Sequence, residues 1–149
     1  MKVVFVGTFE KGCTTLTRLN ALEGFKTCEV YPFDSDPYFA QPFKFQWLNR
    51  IDYFLLISLR YRKSNCDLLR FCEKINPVII WIDKGFWIWP STLKLLKERG
   101  VFLVHHNTDS LNPVKWYVKL AYRLIRRTLP LFDLYFTTNL QDYIALKKI

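Results

Sequence analysis

A short apolar run, a helix's worth of residues and a second apolar run follow one another between Asn76 and Asp109. This succession constrains the fold more than any other stretch of the chain. Val78–Ile82 is rich in β-branched residues and follows the helix-stopping Pro77, which predicts a buried strand. Pro90 and Ser91 open a helix that runs to Arg99, with Leu93 and Leu96 on one face and Gly100 beyond its end. Val101–Val104 predicts a second buried strand. Strand, helix and strand in so short a span make a βαβ unit, which requires parallel pairing and a right-handed crossover. Polar residues gather where each strand ends: Asp83, Lys84 and Gly85 after the first, His105, His106, Asn107 and Asp109 after the second. In open parallel sheets ligands bind at that edge.

The same alternation runs through the rest of the chain. Lys2–Val6 predicts a strand, Thr8 to Gly12 a loop, and Thr14 or Thr15 the cap of a helix with Leu16, Leu19 and Leu22 on its apolar face and Gly24 at its end. Cys28–Phe33 predicts the next strand, closed by Asp34-Ser35-Asp36-Pro37. Residues 38–62 are dense in aromatics without a clean period; a helix is expected from about Pro42 to Arg60, and another from Ser64 or Asn65 to Ile75. Asn112–Thr128 reads as an amphipathic helix with Lys115, Lys119, Arg123, Arg126 and Arg127 on its polar side. Leu131–Thr137 predicts the last strand and Leu140–Lys147 a terminal helix. The expectation is one Rossmann-like α/β domain over residues 1–149: a doubly wound parallel sheet of about five strands, order 3-2-1-4-5, between two helix layers.

Half of the 149 residues are hydrophobic, enough for one real core. The net charge of +9 fits a solvated basic surface, an anionic membrane surface or an anionic substrate. The basic residues stand in no recognisable nucleic-acid-binding motif, so no nucleic-acid partner is expected. No signal peptide opens the chain, and the longest apolar stretch, Ile51–Leu59, is broken by Asp52 and closed by Arg60 and Arg62. A cytoplasmic protein, peripheral at the inner face of a membrane if it meets one, is expected. Cys13, Cys28, Cys66 and Cys72 lack metal-ligand spacing and read as reduced thiols.

Four clusters carry candidate chemistry. Gly7, Thr8, Phe9, Glu10, Lys11 and Gly12 occupy the phosphate-cradle position after the first strand, but Phe9 stands where a dinucleotide fingerprint needs glycine, and there is no Walker lysine. The loop either lets a substrate approach the sheet edge or is a turn that needs glycine. Asp34 and Asp36 would take ribose hydroxyls or make a turn. Lys84 and Gly85 would hold an anionic group, or Lys84 would pair with Asp83 or Asp109. His105 or His106, with Asp109 to orient it, is the candidate general base. Consecutive strand residues point to opposite faces, so only one of the two histidines can face a pocket. No third ligand stands at metal-binding spacing, so neither metal nor bound cofactor is expected. Phe86-Trp87-Ile88-Trp89 is either a hydrophobic lid or a platform for a sugar ring or acyl chain.

Taken in order, MKVVFVGTFEKGCTTLTRLNAL, VYPFDSDPY, the Asn76–Asp109 stretch and FDLYFTTN resemble the amino-terminal half of GT-B glycosyltransferases, in the group related to the spore maturation protein CgeB. The resemblance covers most of the chain apart from residues 39–75. It implies an acceptor-binding domain facing a separate nucleotide-sugar-binding domain across a cleft, with the nucleotide-sugar as co-substrate and no obligatory metal. Gly7–Gly12, Lys84-Gly85 and His106–Asp109 would line that cleft. The donor-binding half is not in this sequence, which implies a fragment, a remnant or one subunit of a two-chain enzyme. The opening VVFVGTFE and the later HHNTDSLNP also resemble formyltransferases, with the Asn displaced to follow the histidines. A non-catalytic module binding an anionic membrane or a partner through Arg60, Arg62, Lys63 and the Lys115–Arg127 helix is the alternative from a different class.

Overall fold

The computed structural model describes residues 1–39, 47–48, 51–52, 58–108, 126–140, 142 and 144. Its strands are β1 (Lys2–Gly7), β2 (Glu29–Asp34), β3 (Ile79–Asp83), β4 (Phe102–Asn107) and β5 (Leu134–Thr137), all parallel in one sheet. Its helices are α1 (Thr14–Glu23), the single turn α2 (Asp36–Phe39), α3 (Leu59–Ile75) and α4 (Pro90–Glu98), and a 3-10 turn over Leu129–Leu131 leads into β5. The class is the expected one: α/β, Rossmann-like, with helices flanking the sheet.

The strand order is 2-1-3-4-5, not the expected 3-2-1-4-5. β3 lies against β1, pairing Val3 with Ile79 and Phe5 with Trp81, and β2 is left on the edge. The physical reason is in the strands themselves. Val3, Val4, Phe5 and Val6 are all buried, so β1 needs cover on both faces and a neighbour on both sides. β2 carries Glu29 and Asp34 exposed, and Pro32, which has no N–H to give a ladder. Such a strand belongs at an edge. The chain therefore reverses direction between β1 and β3, and that is the topological switch point.

Register divides the side chains into two faces. Val4, Val6, Ile80, Ile82 and Leu103 face α3 and α4 and form the main core with Leu68, Leu93 and Leu96. Phe5, Gly7, Trp81, Asp83, Val104, His106 and Phe136 face the other way, and α1 packs there with Thr15 over Gly7.

Two helix boundaries depart from expectation. α3 begins after Ser58, not at Ser64 or Asn65, so the expected Pro42–Arg60 helix does not reach Arg60 as one element; residues 47–48 and 51–52 of it are helical, Ser58 is extended, Leu59 and Arg60 open α3, and the rest lies outside the described residues. Tyr61, Ser64, Asn65, Leu68 and Cys72 make one continuous buried stripe with no breaker between them. The Ser64 hydroxyl bonds back to the Tyr61 carbonyl at 2.9 Å and caps nothing. α1 is capped by Cys13, whose Sγ accepts from Leu16 N–H at 3.4 Å, so Thr14 and Thr15 both lie inside the helix. β5 starts at Leu134 because the 3-10 turn takes Leu131. Of the expected Asn112–Thr128 helix, residues 126–128 are described and helical.

Candidate functional site

The carboxyl edge at the switch point is built around Asp83. Burial pushes this carboxyl group up, but the donors of Thr15, Arg18 and His106, together with the Arg18 charge, outweigh that and hold it below the usual carboxylate range. Its Oδ2 accepts from Arg18 Nη2 at 2.6 Å, and its side chain is 1% exposed against 25% for the arginine. Its Oδ1 accepts from His106 Nδ1 at 2.8 Å. Arg18 reaches it because α1 starts at the carboxyl edge and turns Thr15 and Arg18 toward the sheet; Nη2 also donates to Thr14 Oγ1 at 3.2 Å. Gly7 makes the approach of α1 feasible. A Cβ there would lie 2.5 Å from Thr15 Cγ2.

The two histidines have separate fates. An ionised Asp83 only accepts, so Nδ1 of neutral His106 carries the proton and Nε2 presents a lone pair. Among the described residues Nε2 has no hydrogen-bond partner, and the side chain is 13% exposed. His105, one residue earlier, points to the opposite face. It stacks on Tyr135 at 5.0 Å and packs on Phe132 at 4.7 Å. Its Nε2 donates to the Lys84 carbonyl at 2.6 Å. Burial drives its pKa down to about 4, more than the Lys84 carbonyl and the Asp83 charge restore, so it is neutral near pH 7.

Lys84 is gripped from both histidines. Its N–H donates to the His106 carbonyl at 2.9 Å while its own carbonyl takes His105. That grip holds Lys84 at φ +66 and Gly85 at φ +55. A Cβ at Gly85 would sit 2.2 Å from Ile82 Cγ2, so Gly85 serves the tight turn.

The other candidate residues lie apart from this cluster. Thr8, Glu10, Lys11 and Gly12 are exposed, and Phe9 leans back on Phe5 with ring centroids 5.9 Å apart. The Gly7 carbonyl is taken by the backbone N–H and hydroxyl of Ser35. Asp34 Oδ1 accepts from Asp36 N–H at 3.0 Å, a turn-forming bond. The Phe86–Trp89 loop is a sealed plug. Trp87 and Ile88 are buried, and Asn65 stitches the loop to α3 and α4: its Nδ2 donates to the Tyr61 and Trp87 carbonyls, and its Oδ1 accepts from Trp89 N–H and Thr92 Oγ1. Asp109 lies outside the described residues. Asp83 stands beside His106 in the orienting position foreseen for Asp109.

Among the described residues no three His, Cys, Asp or Glu side chains converge on a point that could hold a metal ion. A cavity of about 250 Å³ opens at the opposite, amino edge of the sheet, over Cys72, Asn76 and Arg99. It is remote from Asp83 and His106. No motif marks Thr15 and Arg18; their signal is positional, since the first two turns of a helix that follows a strand's carboxyl end look onto the switch point. No protein-family model, characterised protein or solved structure matches the chain.

Proposed function

We propose that this domain is the acceptor-side half of a sugar transferase of the GT-B type, with His106 as the base that takes the proton from an acceptor hydroxyl. The observation that carries this reading is the Arg18–Asp83–His106 chain at the switch point. Asp83 fixes the Nδ1–H tautomer and leaves Nε2 facing outward as the proton acceptor. As the alcohol oxygen attacks the anomeric carbon of the nucleotide-sugar, its proton passes to Nε2, and Asp83 steadies the resulting imidazolium. Arg18 keeps Asp83 ionised through that step. The donor's diphosphate is the leaving group, and the opposite domain would hold it. The test is transfer from a panel of radiolabelled nucleotide-sugars to hydroxyl acceptors, with the chain supplemented by a donor-binding domain. Transfer should appear and His106→Gln should reduce it by about 10²-fold or more. Transfer unchanged in that variant, or none with any donor, sinks the reading.

A second reading rests on α3. Leu59, 81% exposed, shares a helix face with the exposed Arg62 and Lys63. An apolar residue flanked by cations suits an anionic lipid surface. Among the described residues no helix is long and apolar enough to cross a membrane. Cosedimentation with anionic vesicles tests this face, and equal partition into neutral vesicles would exclude it.

A further inference from the structure

Four aromatic rings run in a row across the α1 face of the sheet. Phe9 leans on Phe5, Phe5 stacks on Trp81 at 6.1 Å and 18°, and Trp81 stacks on Phe136 at 5.5 Å and 16°. Phe5 is fully buried, and Trp81 has a ring on either side. Phe136 ends the row. One face of its ring lies on Trp81, and the residue is 41% exposed, on the edge strand, with no further described ring against it. A stack of near-parallel rings that ends in an open ring has room for one more member. The neighbour of Phe136 across the ladder is His106, paired in register and on the same face. Adjacent strands are about 4.8 Å apart, so the two side chains stand side by side on this face, and Nε2 has no partner among the described residues.

We propose that Phe136 is a stacking platform for a hydroxylated six-membered ring, a pyranose whose C–H face lies on Phe136 while one of its hydroxyls reaches His106 Nε2. The chemistry of the two groups selects this class. An aromatic face is electron-rich and attracts the weakly positive C–H bonds of one pyranose face. The rim of the same ring carries hydroxyls in the ring plane, where the neighbouring imidazole stands. A bare acyl chain would use Phe136 and leave His106 without a partner. A phosphate or diphosphate would leave the apolar face of Phe136 unused. The Phe86–Trp89 loop cannot fill this role, because Trp87 and Ile88 are buried and Asn65 holds the loop shut. The assignment rests on the transferase reading for its direction of chemistry, and names the acceptor as a sugar.

The full chain should show saturation transfer in ligand-observed NMR to at least one of methyl glucoside, methyl galactoside, methyl mannoside and methyl N-acetylglucosaminide, strongest at ring C–H protons. Phe136→Trp should keep binding. Phe136→Leu, which preserves apolar bulk and removes the aromatic face, should weaken it about 10-fold. No transfer to any of the four glycosides, or Phe136→Leu binding them as the natural chain does, overturns the assignment. The two ideas fail separately. Glycosides that bind through Phe136 with no transfer from any nucleotide-sugar would leave the platform standing and remove the transferase. Sugar transfer that survives Phe136→Leu unchanged would leave the transferase standing and remove the platform.

Discussion

The two faces of the sheet meet at one residue step, His105 to His106, and they are built to different ends. On the α3/α4 face the packing is closed: Asn65 uses four hydrogen bonds, and His105 lies between Phe132 and Tyr135 with its Nε2 on the Lys84 carbonyl and its buried Nδ1 unpaired among the described residues. On the α1 face Asp83 is buried and paired, yet the groups beyond it, His106 Nε2 and the outer ring of Phe136, have no partner among the described residues. The closed face makes the fold, and the open face is where the proposed chemistry is placed. The contrast predicts that substitutions on the first should cost stability, and those on the second should cost function.

The hardest test of the closed face is Asn65. Replacing it with Leu keeps the volume but strands the Trp87 carbonyl, the Trp89 N–H and the Thr92 hydroxyl in the core. Each stranded group costs about 1–3 kcal/mol, so a loss of roughly 4 kcal/mol is expected in urea unfolding. A loss below about 1 kcal/mol would mean that the loop is not sealed as described. His105 gives the next largest effect, seen through pH. Its unfolded pKa is about 6.5 and its folded value about 4, so between these values the unfolded chain binds more protons. Its contribution is fully present above pH 6.5 and is lost as the pH falls to 4, on the order of 3 kcal/mol. Asp83, also held below its ordinary value, adds its loss as the pH falls further through its own folded pKa. His105→Gln, which retains a donor for Lys84, should flatten the slope between pH 6.5 and 4; an unchanged slope would place the buried proton acceptor elsewhere.

How much of this could be read in the chain depends on which interactions are local. The βαβ unit at Val78–Val104 was legible because burial on two faces leaves runs of Ile, Val and Trp. The opposite orientation of His105 and His106 follows from strand geometry alone. The strand order was not read correctly, although Pro32 and the flanking acids of β2 carried the signal for an edge strand. Arg18 was missed because its partner lies 65 residues away. Nearness in sequence points to Asp109, which lies outside the described residues, as the acid beside His106; register, which sequence does not display, sets Asp83 opposite His106.

Asp83→Asn breaks the comparison where the two faces join, and its two effects should diverge. The amide can still accept from Arg18, but removing the buried charge leaves that guanidinium, a quarter exposed, less well paired, at a cost of about 2 kcal/mol. Its NH₂ group, turned toward His106, would need Nδ1 as an acceptor and would move the proton to Nε2. Sugar transfer should then fall by about 10²–10⁴-fold in a variant that remains folded. A proportionate fall in both quantities would make Asp83 a structural residue.

The smallest effect lies on the outer surface of α3. Arg62→Glu with Lys63→Glu reverses two charges beside Leu59 on a face that contributes nothing to the core, so melting should shift by less than about 0.5 kcal/mol. Each cation near an anionic lipid surface is worth about 1 kcal/mol, so the double variant should lose at least 10-fold in partition onto vesicles rich in phosphatidylserine. That attraction is screened beyond a Debye length of about 10 Å at 0.1 M salt, so raising the salt should weaken the unaltered chain's binding in the same direction. Leu59→Ala should cost less than the charge reversal and should not respond to salt, because its share is apolar area. If the charge reversal leaves vesicle binding intact, the exposed face of α3 is a solvated surface and the membrane reading falls.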